Sequence, residues 1–365
     1  MKLEVEQNQL FSKAKQLLVS SLSSNSMYRS PTTKGAAFCM YWLIICGSMG
    51  AGVYYCSEII DLLHANSKLP PVLSYVIHPV KLMIILTGSV CCAVAAYKLS
   101  SYYYQENIAI AARFKKSLHM NDLSLKYQPI VDARTGLWIG AEALLRWKHK
   151  GKDVPPSLFI SAIENTEIIA DATRWVCTRV VEDYCTGIRA CNDFYISINL
   201  SSRDVMDPTF PDFLSELIHR YNAYSINLMF EITENVALDE PLAVQNLKRI
   251  RSQGHKIALD DFGTGYSSFS YINTLPLDKL KIDRVFLSPT SNETNFIIIE
   301  QITCLAKRLD LDIIVEGIEE KHQSDKLLQI GIFSLQGWLY SKAISPEELV
   351  RGFFSKTHPK THYVI

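Results

Sequence analysis

The sequence predicts an α/β chain built as a (β/α)8 TIM-like barrel with one antiparallel strand, preceded by two transmembrane helices. Three observations predict it. Eight short β-type runs, most of them separated by amphipathic helical stretches, occupy roughly 240 residues from about Leu123 onward. Two apolar runs lie upstream of them. Polar residues that make poor core filler recur where the strands stop.

Residues 1–34 are polar and serine-rich, and read as an N-terminal cytoplasmic segment. In the membrane region predicted over 35–99, Ala36 to Cys56 is a stretch of 21 residues without a formal charge, enough to span a hydrocarbon core of about 30 Å as a helix. Leu82 to Tyr97 supplies 16 more and reads as a second span, extended upstream through Val80, Pro79 and Ile77 if Lys81 snorkels to the interface. Arg29 and Lys34 precede the first span, Lys98, Arg113, Lys115 and Lys116 follow the second, and the intervening loop Ser57 to Ser74 carries only Lys68 against Glu58 and Asp61. Positive residues stay inside. The expectation is a multi-pass membrane protein, in contact with the lipid bilayer, with both termini and the downstream domain cytoplasmic. Nine cysteines without CxxC spacing indicate neither a zinc site nor a disulfide framework. With 37 basic and 37 acidic residues the formal charge is zero, which offers no general attraction to a nucleic acid polymer.

Residues 100–122 read as a helical connector, because Ile110, Phe114 and Leu118 recur every four residues while Arg113, Lys115 and Lys116 fall off that stripe. The barrel follows over 123–356, with a tail at 357–365. Its strands are predicted at Leu125 to Asp132, Trp138 to Trp147, Phe194 to Leu200, Leu228 to Thr233, Lys256 to Asp261, Lys279 to Ile282, Asp312 to Val315 and Ile332 to Leu335. Helices are predicted at Pro156 to Asn165, Ala172 to Ile188, Phe210 to Tyr221, Pro241 to Gln253, Glu293 to Leu309 and Lys321 to Gln329. The turn-like segment Ala133-Arg134-Thr135-Gly136 joins the first two strands as a hairpin, so one strand should run antiparallel.

Functional groups of such barrels gather at the carboxyl ends of strands. The polar residues at or near those ends are Glu142, Asn199, Glu231, Asp260 with Asp261, Lys281, Glu316 and Gln336. Any one of them alone would be an ordinary solvated loop residue or ion-pair partner; their recurrence along successive strands points to a site. Oxygen donors without histidine or cysteine select Mg2+ or Mn2+ rather than zinc. Two such ions about 3.5–4 Å apart suit phosphodiester hydrolysis. Arg146, four positions after Glu142 on the same strand face, is placed to hold a phosphate oxygen.

From about Ile108 to Phe354 the chain resembles the EAL domain, a bacterial phosphodiesterase family that cleaves cyclic di-GMP to linear pGpG. The resemblance is carried by Tyr127-Gln128-Pro129-Ile130, Glu142-Ala143-Leu144-Leu145-Arg146-Trp147, Ser197-Ile198-Asn199-Leu200-Ser201 and Glu231-Ile232-Thr233-Glu234. It continues in Asp260-Asp261-Phe262-Gly263-Thr264-Gly265, Leu280-Lys281-Ile282-Asp283, Glu316-Gly317-Ile318-Glu319 and Leu335-Gln336-Gly337. It implies that Glu142, Asn199, Glu231, Asp260 and Asp261 are metal ligands for two ions. Lys281, Glu316 and Glu142 would be catalytic, while Arg146, Gln128 and Gln336 would bind substrate. Glu234 would anchor the loop after Asp261, which the family ties to homodimerisation through the catalytic domain. Trp338 stands where tyrosine is more frequent and Ala343 where proline is usual, neither a catalytic position. The alternative is a non-enzymatic receptor or interaction module, since some relatives bind nucleotide or protein without hydrolysis. Loss of a ligand or of the lysine would favour that alternative, and none is lost.

Overall fold

The computed structural model describes residues 72–191, 193–233, 241–263, 274–287 and 293–357. They divide into two units, one comprising the described residues up to 110 with 157–162 and the other those from 111 to 156 and from 163 onward. The first unit contains most of α1 (Val72–Ser117), one continuous helix of 46 residues.

The second unit holds the barrel. Strands β1 (Leu123–Asp132), β2 (Leu137–His149), β4 (Tyr195–Leu200), β5 (Asn227–Thr233), β6 (Lys256–Phe262), β7 (Lys279–Ile282), β8 (Asp312–Val315) and β9 (Ser334–Gln336) close on themselves, because β1 pairs with both β2 and β9. The remaining strand, β3 (Lys152–Val154), is a short antiparallel extension at the end of β2. Helices α3 (Ile168–Thr186), α4 (Ser202–Met206), α5 (Phe210–Arg220), α6 (Pro241–Ser252), α7 (Glu293–Arg308), α8 (Lys321–Gln329) and α9 (Pro346–Thr357) accompany the strands, while α2 (Pro156–Ile163) lies mostly in the first unit.

The predicted antiparallel strand is β1, antiparallel to both of its neighbours. Asp132 shapes its turn: the carbonyl accepts from the Gly136 amide at 2.7 Å, and Oδ1 accepts from the Arg134 amide at 2.9 Å. Gly136 sits at φ 73°, where a side chain would be strained.

Alternation along the strands separates two packed regions. Outward residues such as Ile196, Ile198, Leu228, Phe230, Ile257, Leu259, Leu280 and Ile282 are buried in the large cluster shared with the helices. Ile130, Met229, Ala258 and Ile314 form a separate cluster joined by Ile139 and Tyr195. Each of those four stands two residues from Gln128, Glu231, Asp260 or Glu316, and therefore on the same inward face. Apolar side chains thus fill the barrel directly beneath the polar ring.

One expectation is corrected. Among the described residues no helix is long and apolar enough to cross a membrane, so the multi-pass placement is not supported. Leu82 to Tyr97 is instead part of α1. Its 16 uncharged residues rise only about 24 Å between Lys81 and Lys98, against the ~30 Å of a hydrocarbon core. Ala36 to Cys56 lies outside the described residues.

Candidate active site

Each strand end delivers its polar group through the pleat. Glu142 stands opposite Gln128 across the β1–β2 ladder and beside Ser197 on β4. Asn199 and Glu231 are register partners on β4 and β5. On β6 the register shifts between Leu259 and Phe262. Asp261 takes φ 55° there and its amide donates to Asp260 Oδ1 at 2.9 Å. A regular strand would turn two successive side chains to opposite faces; this irregularity re-aims them, and a left-handed conformation is one that aspartate tolerates better than most residues. Gly263 follows at φ 93°, and a Cβ there would lie 2.6 Å from the Phe286 ring.

Two hydrogen-bonded groups result. In one, Glu142 is gripped by amides: Asn199 Nδ2 donates to Oε1 and Gln336 Nε2 to Oε2, both at 2.8 Å. In the other, Lys281 Nζ is the common point of three carboxylates, Glu316 at 2.5 Å, Glu231 at 2.6 Å and Asp260 at 3.3 Å. Lys281 is 1% exposed and Glu231 equally so. The structure therefore brings together Glu142, Asn199, Gln336, Lys281, Glu231, Asp260 and Glu316, with Asp261 beside Asp260. Gln128 is placed by register against Glu142, and Arg146 lies two pleat repeats further along β2, its guanidinium donating to the Leu145 carbonyl at 3.0 Å. Glu234 lies outside the described residues.

Burial and mutual repulsion dominate the electrostatics. Burial pushes the Glu231 carboxyl up to about 8 despite the opposing Lys281 charge, with Glu142 and Asp260 adding to the rise. Asp261 is raised to about 6 by burial and by neighbouring Asp260. Glu316 is raised by burial against the pull of Lys281. Burial works to lower the Lys281 pKa, yet Asp260, Glu142, Glu231 and Glu316 together hold it well above its ordinary value, so the ammonium stays charged.

No group of three or more His, Cys, Asp or Glu among the described residues is gathered as a cation cage; the carboxylates converge on Lys281 instead. Even so, Glu231 Oε1 and Gln336 Oε1 are buried without a hydrogen-bond partner, and the surrounding donors are hard carboxylate and amide oxygens. That donor set fits a hard divalent cation.

Tyr195 is a residue that sequence reasoning missed. Its ring lies against Gly140, where a Cβ would come within 2.7 Å, and its buried hydroxyl has no hydrogen-bond partner. The signal was available in the β4 alternation, which puts Tyr195, Ser197 and Asn199 on one face.

A closed barrel with amide-held Glu142 and carboxylate-held Lys281 at its carboxyl end defines a TIM-like barrel protein with a carboxylate-rich polar site at its strand ends. The chain belongs to the EAL domain family, whose profile matches residues 111–343. "Probable cyclic di-GMP phosphodiesterase PdeB" of Escherichia coli (strain K12) is 36% identical over 240 residues, covering 66% of this chain and 46% of PdeB. "Probable cyclic di-GMP phosphodiesterase PdeG" of the same organism is 32% identical over 278 residues, covering 75% of this chain and 54% of PdeG. The chain thus spans about half the length of these curated relatives. Among solved structures, the EAL enzyme Bd1971 bound to cAMP and cyclic di-GMP superposes with a TM-score of 0.64 at 29% identity, covering 74% of this chain and 76% of that one. The PaMucR phosphodiesterase in complex with c-di-GMP gives a TM-score of 0.61 at 31% identity, covering 66% and 99%. EAL domains generally depend on a divalent metal.

Proposed function

We propose that this chain hydrolyses cyclic di-GMP to linear pGpG, with Glu142, Asn199, Glu231, Asp260 and Asp261 holding two ions of magnesium or manganese. The observation that carries the reading is the buried Lys281, held by Glu316, Glu231 and Asp260 within a barrel of the EAL family. When bound, the metal would polarise a phosphoryl oxygen and lower the pKa of water.

The chain's own residues do the rest. Gln336 and Asn199 hold both Glu142 oxygens, so that carboxylate keeps one orientation. Lys281, charged and immobilised by Glu231, Asp260 and Glu316, sets a fixed positive charge beside the place where a water attacks phosphorus. Arg146 takes a nonbridging phosphate oxygen, and Gln128 and Gln336 contact the substrate side. The water oxygen bonds to phosphorus, the ester P–O bond breaks, and one water proton ends on the released hydroxyl. Glu234 anchors the loop after Asp261, and homodimerisation through the catalytic domain belongs to the same reading.

Incubating the full chain with cyclic di-GMP tests this. Magnesium or manganese should yield pGpG, while calcium, with its larger and looser coordination, should support it poorly. Product formation undiminished by a chelator would sink the reading.

A further inference from the structure

Gln323, in the first turn of α8, bridges two loops at the carboxyl end of the barrel. Its Oε1 accepts from the backbone amides of Glu319 at 2.9 Å and Glu320 at 3.0 Å, and its Nε2 donates to the Leu287 carbonyl at 3.0 Å. The side chain is buried. The first loop follows β8 and carries Glu316; the second is the 3-10 turn Arg284–Leu287, which follows the strand of Lys281. These segments also meet at Gly317, φ 70°, where a Cβ would lie 2.2 Å from that of Arg284. The loop after β8 is tied to β9 as well, since the Ile318 amide donates to the Gln336 carbonyl at 3.1 Å and the Leu339 amide to the Ile318 carbonyl at 2.9 Å.

A primary amide accepts at one end and donates at the other within a single rigid plane. Removing it would strand two amides and one carbonyl, each lacking the partner it has here. The loops would then be left with the backbone bond from the Glu316 amide to the Ile282 carbonyl at 3.0 Å and the close approach of Gly317 to Arg284.

We propose that Gln323 is a positioning residue for the phosphodiesterase reaction. By clamping the ends of β7 and β8 it holds Lys281 Nζ against Glu316 Oε1, and so governs turnover rather than substrate affinity. The proposal rests on the function proposed above.

Steady-state kinetics of the full chain on cyclic di-GMP test it. Gln323→Ala should lower kcat by about tenfold or more and leave KM within about twofold. Gln323→Glu supplies a second readout. A protonated carboxyl reproduces the amide's one acceptor and one donor, whereas an ionised one sets an oxygen against the Leu287 carbonyl. Its kcat relative to the parent should therefore recover toward about pH 5 and fall as pH rises, while the Gln323→Ala ratio stays flat. Parent-like kcat in Gln323→Ala, an effect confined to KM, or a flat Gln323→Glu profile would overturn the clamp. If the parent itself does not hydrolyse cyclic di-GMP, the proposed function fails separately. The clamp is then read from the ε-13C resonance of Lys281, assigned with Lys281→Arg: a shift in Gln323→Ala supports it and an unchanged resonance overturns it.

Discussion

Lys281 sits where burial and charge oppose each other, and the carboxylates around it decide the outcome. Lys281→Ala should leave the buried Glu231 and the half-buried Asp260 and Glu316 without their common cation, which costs about 3–5 kcal/mol, and should lower kcat at least ~100-fold. The loss should grow as pH rises above about 8, because the buried Glu231 carboxyl, raised to about 8 even beside Lys281, then ionises without its partner. Chemical denaturation at two pH values and a rate assay check both parts; parent-like values would refute the placement of this lysine. His255 makes a second residue-scale prediction. It is buried against Phe230, with neither ring nitrogen hydrogen-bonded, and burial pulls its pKa down to about 4. The folded state therefore binds fewer protons than the unfolded one, whose histidine titrates near ~6.5. The stability this contributes is complete above about pH 6.5 and is lost as pH falls toward 4, by about 3 kcal/mol in all. His255→Leu should flatten the stability profile across that window, and an unchanged acid limb would contradict the assignment. The ring residues were legible because carboxylates at strand ends are conspicuous in apolar runs. Tyr195 and Gln323 were not, since an aromatic in a strand and a glutamine in a helix look ordinary until their partners are known.

At the scale of elements, the end of β6 depends on a glycine. Gly263→Ala would force a Cβ into the Phe286 ring at a positive φ, combining left-handed strain with overpacking. The expected loss is about 2–4 kcal/mol, read as a lower denaturation midpoint; an unshifted midpoint would mean that this turn relaxes freely. All eight barrel strands were legible, because Val, Ile, Leu and Phe at period two leave little choice of register. The elements that escaped were short or quietly signalled. β3 has three residues and α4 five, too few for periodicity to register. α9 begins with a readable box, in which the Ser345 hydroxyl accepts from the Glu348 amide and Glu348 accepts from the Ser345 amide. Leu82 to Tyr97 and the connector from Tyr102 were read as separate helices, yet no proline or glycine lies between them and α1 runs through both.

Over the whole molecule, closure depends on strands far apart in the chain. β9 contributes three pairs to β1, Ile130 with Gln336, Val131 with Leu335 and Asp132 with Ser334. A chain ending at 330 would leave β8 with an open edge and β1 paired only with β2. Its unfolding should lose the single cooperative transition expected of the closed barrel, and denaturation followed by both near-UV and far-UV signals checks this; a sharp, coincident transition would show that β9 is dispensable. The same pairing has a meaning in time as well as in space. A ribosome lays down Glu142 early and must add 194 further residues before Gln336 exists to grip its second oxygen. Until then the emerging polypeptide holds Glu142 without the amide that fixes its second oxygen. The grip on Glu142 is therefore completed late and abruptly, with the translation of a single short strand.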